Sequence, residues 1–120
     1  MLNEQLSKDI DLIKFLEEEK RARLENEVIK SAQLCVKIVE FVYQKTKNIN
    51  DLIFILSSLN KKRNQSKNAI KEMVNFTLNN IYVNLNQSEK ILLLKTIIEI
   101  TEGRIYVEVK YKNIKKIKFF

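Results

Sequence analysis

A chain of 120 residues with no proline and a single glycine, Gly103, has few ways to turn sharply. All-β folds place both residue types at their turns, and parallel α/β folds need glycine where strands meet helices. The fold class is therefore all-α, with helices joined by short polar connections. Hydrophobic residues make up 45% of the chain, enough for a packed core. The length suits one domain, residues 1–120, or a few stacked helical units.

Apolar spacing divides the chain. Ser7 is placed to cap a first helix running to about Lys20, with Ile10, Ile13 and Leu16 as its stripe and Leu12 and Phe15 beside it. The Glu17–Arg21 run reads as a solvated face or a connection. From Leu24 to about Lys45 two stripes coexist: Val28, Ala32, Cys35, Val39 and Val42, then Leu34, Ile38 and Phe41. Such a helix must be covered from more than one side, as when it packs on its own partner and on a neighbouring pair.

Past the polar Lys47–Asn50 break, Asn50 or Asp51 can cap a short helix from Leu52 to about Lys62, with Leu52, Ile55, Leu56 and Leu59 on one face. The basic connection Lys61–Gln65 leads to Ser66, the cap of a long helix reaching about Asn84. Its face is Ile70, Val74, Thr77 and Ile81, joined by Met73, Leu78 and Leu85. Asn86 or Ser88 starts another, with Ile91, Leu94, Ile98 and Thr101 in register, and Gly103 ends it as a residue free to take positive φ. In the tail Ile105, Val107, Val109 and Tyr111 alternate with Tyr106, Glu108, Lys110 and Lys112, the period of a half-buried strand. A lone strand would find no partner among the preceding helices, leaving its backbone groups unsatisfied. The expectation is a helix there, for five or six in all.

Residues that self-contained catalysis needs are missing. With no histidine there is no Ser-His-Asp triad, Cys-His dyad or His-containing metal site. Cys35, the sole cysteine, cannot form an intrachain disulfide or a four-cysteine zinc site, fits a reducing compartment, and reads as a small core residue. No glycine-rich loop can present backbone N–H groups to a phosphate. Asp9 and Asp11 lie two apart and cannot share a helical face. The reading is non-enzymatic, with no cofactor, metal or small-molecule substrate. The N-terminus lacks the basic-then-apolar pattern of a cleaved signal, and no apolar run approaches the ~20 residues of a membrane span.

The net charge of +7 is uneven: −1 over residues 1–60, +3 over 61–102 and +5 over 103–120. A nucleic-acid reading would rest on Lys61, Lys62 and Arg63, and on Lys110, Tyr111, Lys112, Lys115, Lys116 and Lys118. That set is lysine-heavy where arginine is the usual reader, and no helix-turn-helix or RNA-binding signature accompanies it. Nucleic acid is not the expected partner, and a basic helical nucleic-acid binder stands as the alternative.

Two segments carry a family resemblance. Leu59-Asn-Lys-Lys-Arg63 opens a stretch that runs through a helix to Met73-Val74, and the second segment is Thr101-Glu-Gly-Arg-Ile-Tyr-Val-Glu-Val109. Both resemble the N-terminal part of the subunit 12 family of non-ATPase regulatory subunits in the 26S proteasome lid, a branch of the PCI proteins. The resemblance spans roughly residues 10 to 110 and favours helix in the tail. It implies a right-handed, TPR-like superhelix of antiparallel helix pairs, followed in the family by a winged-helix PCI module that these 120 residues do not contain. It further implies a structural lid subunit, scaffolding ubiquitin-dependent protein degradation in cytoplasm and nucleus through contacts with other lid subunits and the core particle. The paralogous signalosome subunit is the alternative of the same class. Lys61, Lys62 and Arg63, with Gly103, Arg104, Tyr106 and Glu108, are the candidate partner contacts.

Overall fold

Side-chain caps fix where four of the helices begin. The computed structural model describes residues 4–101 and the backbone of residues 105–110 and 113–119. A short opening turn, α1 (Glu4–Ser7), precedes α2 (Ile10–Leu24), α3 (Val28–Thr46), α4 (Ile49–Asn60), α5 (Lys67–Phe76) and α6 (Gln87–Ile100). Ser66 caps α5 as expected, accepting from the Ala69 N–H at 3.0 Å. Asn86 and Glu89 form a reciprocal capping box on α6. Three starts differ from expectation, the first being α3, which begins at Val28 because Leu24 still belongs to α2. Asp9, not Ser7, caps α2, because its carboxylate reaches the N–H groups of Asp11 and Leu12 at 2.9 and 3.2 Å. Asn48 caps α4 in the same way, accepting from Asn50 and Asp51.

Almost without glycine, the chain turns at polar residues instead. Asn26 (φ 59°), Lys47 (φ 50°) and Asn64 (φ 65°) occupy the left-handed region after α2, α3 and α4. The helix expected to reach Asn84 changes its hydrogen bonding midway, passing from α5 into a π turn at Thr77–Ile81 and a 3-10 turn at Tyr82–Asn84. At that point the Thr77 hydroxyl donates to the Met73 carbonyl at 2.7 Å and competes with the helical ladder.

Helix α3 is the centre of the packing, meeting α2, α4 and α5, while α4 also meets α6. Both of its predicted stripes are used from Ala32 onward: Ala32, Cys35, Val39 and Val42 are buried, and so are Leu34 and Ile38, whereas Phe41 is half-buried and Val28 is exposed. Phe15 of α2 and Phe41 of α3 meet edge to face at 5.5 Å. From α4, Leu52, Ile55, Leu56 and Leu59 complete the same core, together with Met73, Val74, Leu78 and Ile81.

The two outer helices bury a different stripe from the expected one. In α2, Leu12 is buried whereas Ile10 is 81% exposed. In α6, Leu93 and Ile97 are buried, and Ile91 and Ile98 face solvent. Both helices carry apolar residues on more than one side, so periodicity admits several inward faces and the neighbouring helix selects one.

The described residues of the tail do not form the expected helix. Residues Ile105–Lys110 (β1) and Asn113–Phe119 (β2) form an antiparallel ribbon. The strand partner missing from the helices lies further along the tail, and the period-two pattern of Ile105–Lys110 was the better guide. Register pairs Ile105 with Phe119, Val107 with Ile117 and Val109 with Ile114, with a shift after Glu108 that leaves Lys115 as the extra residue of a bulge.

The choice of stripe in α6 is testable. Leu93→Ala should cost about 2–5 kcal/mol in urea unfolding, whereas Ile98→Ala, at a position 47% exposed, should cost about 1 kcal/mol or less. The reverse order would contradict this packing.

Candidate functional site

Four residues apart on α2, Glu19 and Arg23 share one helical face. Both are buried, Glu19 with 1% of its surface exposed. Arg23 Nε donates to Glu19 Oε2 at 3.1 Å, and Ser31 Oγ of α3 donates to the same oxygen at 2.9 Å. In the other direction Arg23 Nη1 donates to the Arg63 carbonyl oxygen at 2.7 Å. One guanidinium thus joins α2 and α3 to the connection between α4 and α5. The charged run at Glu17–Arg21 is solvated at Glu17, Lys20 and Arg21, but Glu19 overturns that reading. Because α2 continues to Leu24, positions 19, 22 and 23 fall on its inner face. The Glu-Arg spacing of four was the signal available in the sequence.

This network holds a basic turn from behind. Lys61 is the C-cap of α4, and Lys61, Lys62, Arg63 and Asn64 are all exposed. Gln65 secures the far side: its Nε2 donates to the Leu59 carbonyl at 2.9 Å and lies 3.6 Å from Cys35 Sγ. Among the described residues, the side chains of Lys61, Lys62 and Arg63 enter no hydrogen bond or ion pair. The turn is a fixed backbone bearing three uncommitted cations.

Cys35 lies behind it, fully buried. Burial pushes its thiol up to about 12, and the Glu19 carboxylate adds to the effect. A thiolate is the nucleophilic form, so the folded chain keeps Cys35 inert.

The structure gathers Lys61, Lys62 and Arg63 into one turn. Tyr106 and Glu108 lie on β1, opposite Lys118 and Lys116 in the register. Gly103 and Arg104 fall outside the described residues. Among the described residues no three histidine, cysteine, aspartate or glutamate side chains cluster as metal ligands, and no helix is long and apolar enough to cross a membrane. What this surface offers is an exposed basic turn on a held backbone.

Comparison with known proteins gives a consistent picture. The family model described as "PSMD12/CSN4, N-terminal" matches residues 12–118. Over 114 residues, 93% of its length, the chain is 32% identical to 26S proteasome non-ATPase regulatory subunit 12 homolog B of Arabidopsis thaliana. It is 30% identical to homolog A of the same plant over 105 residues, 86% of its length. The chain spans about a quarter of the length of these curated relatives (25% and 23%). No solved structure matches it.

Two predictions follow from the buried network. Arg23→Met, which strands the Glu19 carboxylate, should destabilise the fold by about 3–5 kcal/mol, and adding Glu19→Leu should recover most of that in urea unfolding. For Cys35, folded and unfolded chains both hold the thiol proton below its ordinary 9.0. Between 9.0 and about 12 only the unfolded chain releases it, so stability should fall as pH rises through that window. Thermal melting should show a shallower alkaline loss in Cys35→Ala, with Tyr43 and Tyr82, both raised first by burial, retaining part of the slope.

Proposed function

This chain belongs to the PSMD12/CSN4 N-terminal family, and on that premise we propose that it is a non-catalytic structural subunit of the proteasome regulatory particle, a scaffold of its lid. The observation that carries the reading is the match over residues 12–118, which takes in nearly all of the helical core. Identity to two proteins named as non-ATPase regulatory subunits supports a proteasomal over a signalosome setting. The residue inventory agrees: the chain has no histidine, its one thiol is buried and protonated, and three exposed cations stand together on one turn. A chain of this kind works by contact.

In this reading the helices set the spacing between partner surfaces, and the other lid subunits and the core particle supply those surfaces. Its place of action is then the cytoplasm and nucleus, in ubiquitin-dependent protein degradation. Lys61, Lys62 and Arg63 are the contact residues best supported by geometry, since the backbone behind them is fixed.

Purification of the tagged protein, expressed from its own gene in its source cells, tests the proposal by mass spectrometry of what accompanies it. Regulatory-particle subunits in stoichiometric amounts are the expected result. Recovery with signalosome subunits would move the chain to the paralogous complex, and recovery alone or with RNA-binding proteins would overturn the assembly role.

A further inference from the structure

The Lys61–Arg63 turn combines two properties that exposed lysines seldom share. Its backbone is held at both ends, by Arg23 Nη1 on the Arg63 carbonyl and by Gln65 Nε2 on the Leu59 carbonyl. Its three cationic side chains have no partners among the described residues. Cations carried on a fixed backbone lose less entropy on binding than cations on a mobile one, so preorganisation of the turn favours a specific contact.

The corner that carries Arg23 adds an apolar element. Leu24 ends α2, and Val28 and Ile29 begin α3; all three are exposed, Ile29 by 72%. From Ile29 a groove runs between α3 and α5, floored by Ala32 and Val36 and edged by Asn68 and Glu72. Large apolar side chains beside a charged turn suit a ligand that is itself amphipathic.

We propose that this corner binds an acidic amphipathic segment of a partner protein, its carboxylates on Lys61, Lys62 and Arg63 and its apolar side chains on Leu24, Val28 and Ile29. The inference rests on the assembly role argued above and names the chemistry of one contact within it. Nucleic acid fits the corner less well. Residues 57–72 contain no aromatic side chain on which a base could stack. Glu25 and Glu27 are exposed at the same corner and repel any anion there. The segment's carboxylates must therefore lie at Lys61–Arg63 and its uncharged apolar side toward Leu24 and Val28, a division that a uniformly charged phosphate chain lacks.

Fluorescence anisotropy of the 120-residue chain with a labelled helical peptide of glutamate and leucine, and separately with a labelled oligouridylate, tests it. The peptide should bind more tightly at low salt than at high salt. Lys61→Glu/Lys62→Glu/Arg63→Glu, made at exposed positions, should keep the helical melting curve and weaken the peptide about tenfold or more. Leu24→Ser/Ile29→Ser should also weaken the peptide but leave its salt dependence unchanged. Unaltered peptide binding in the charge-reversed chain, or tighter binding of the oligouridylate, would overturn the proposal. The source-cell purification separates this from the assembly role. Proteasome subunits recovered with the native chain, alongside peptide binding indifferent to charge reversal, would sink the contact alone. Charge-dependent peptide binding with no proteasome subunits recovered would keep the contact and sink the role.

Discussion

A buried arginine needs several acceptors at once, and that requirement orders much of this molecule. Taking the Arg23 guanidinium out of water is costly, and the Glu19 carboxylate alone offsets only part of the cost. The remainder comes from the Arg63 carbonyl, 40 residues away along the chain, and Ser31 satisfies the carboxylate in turn. These bonds form only when α2 lies against α3 and the α4–α5 connection folds back over α2. The network therefore specifies an arrangement, while the energy that holds it comes from the apolar core around α3.

Helix α3 was the most legible part of the sequence, for a physical reason. Its two apolar stripes left no choice of inward face, so neighbours had to come from both sides, and they do. The α4 stripe of Leu52, Ile55, Leu56 and Leu59 was equally plain. Ambiguity began where apolar residues ring a helix. In Ile91-Leu-Leu-Leu94 and Ile97-Ile98 several stripes are possible, and only the position of α4 makes Leu93 and Ile97 the buried pair. Caps behaved similarly: Ser7 and Asp9 both carry capping chemistry, and two residues of chain decided between them.

The candidate surface was half legible. Three consecutive cations after an apolar helix marked the turn, but nothing in local pattern said that its backbone was fixed. That knowledge lies in a contact 40 residues apart in sequence, which no window of spacing can reveal. The charged run on α2 misled for the complementary reason. Glutamate in a charged run is nearly always solvated, and the exception is visible only once its partners are assembled. In the tail, the argument against a strand assumed that its partner must come from the helices, although Asn113–Phe119 supplies it locally.

The same scarcity of glycine and proline that fixes the fold class also shapes the surface available for contact. Connections must turn through polar residues that tolerate left-handed backbone, here Asn26, Lys47 and Asn64. Each stands beside or within a stretch of exposed charge, so corners where helices reverse are also where the chain presents its ions. At the other two corners the charges meet near neighbours in the chain, Glu27 with Lys30 and Lys45 and Lys47 over the Phe41 and Tyr43 rings, contacts that contribute little to stability. At the α4–α5 corner the backbone beneath them is fastened to a buried guanidinium. A turn forced by composition becomes a recognition surface only where the core behind it has reached out to hold it.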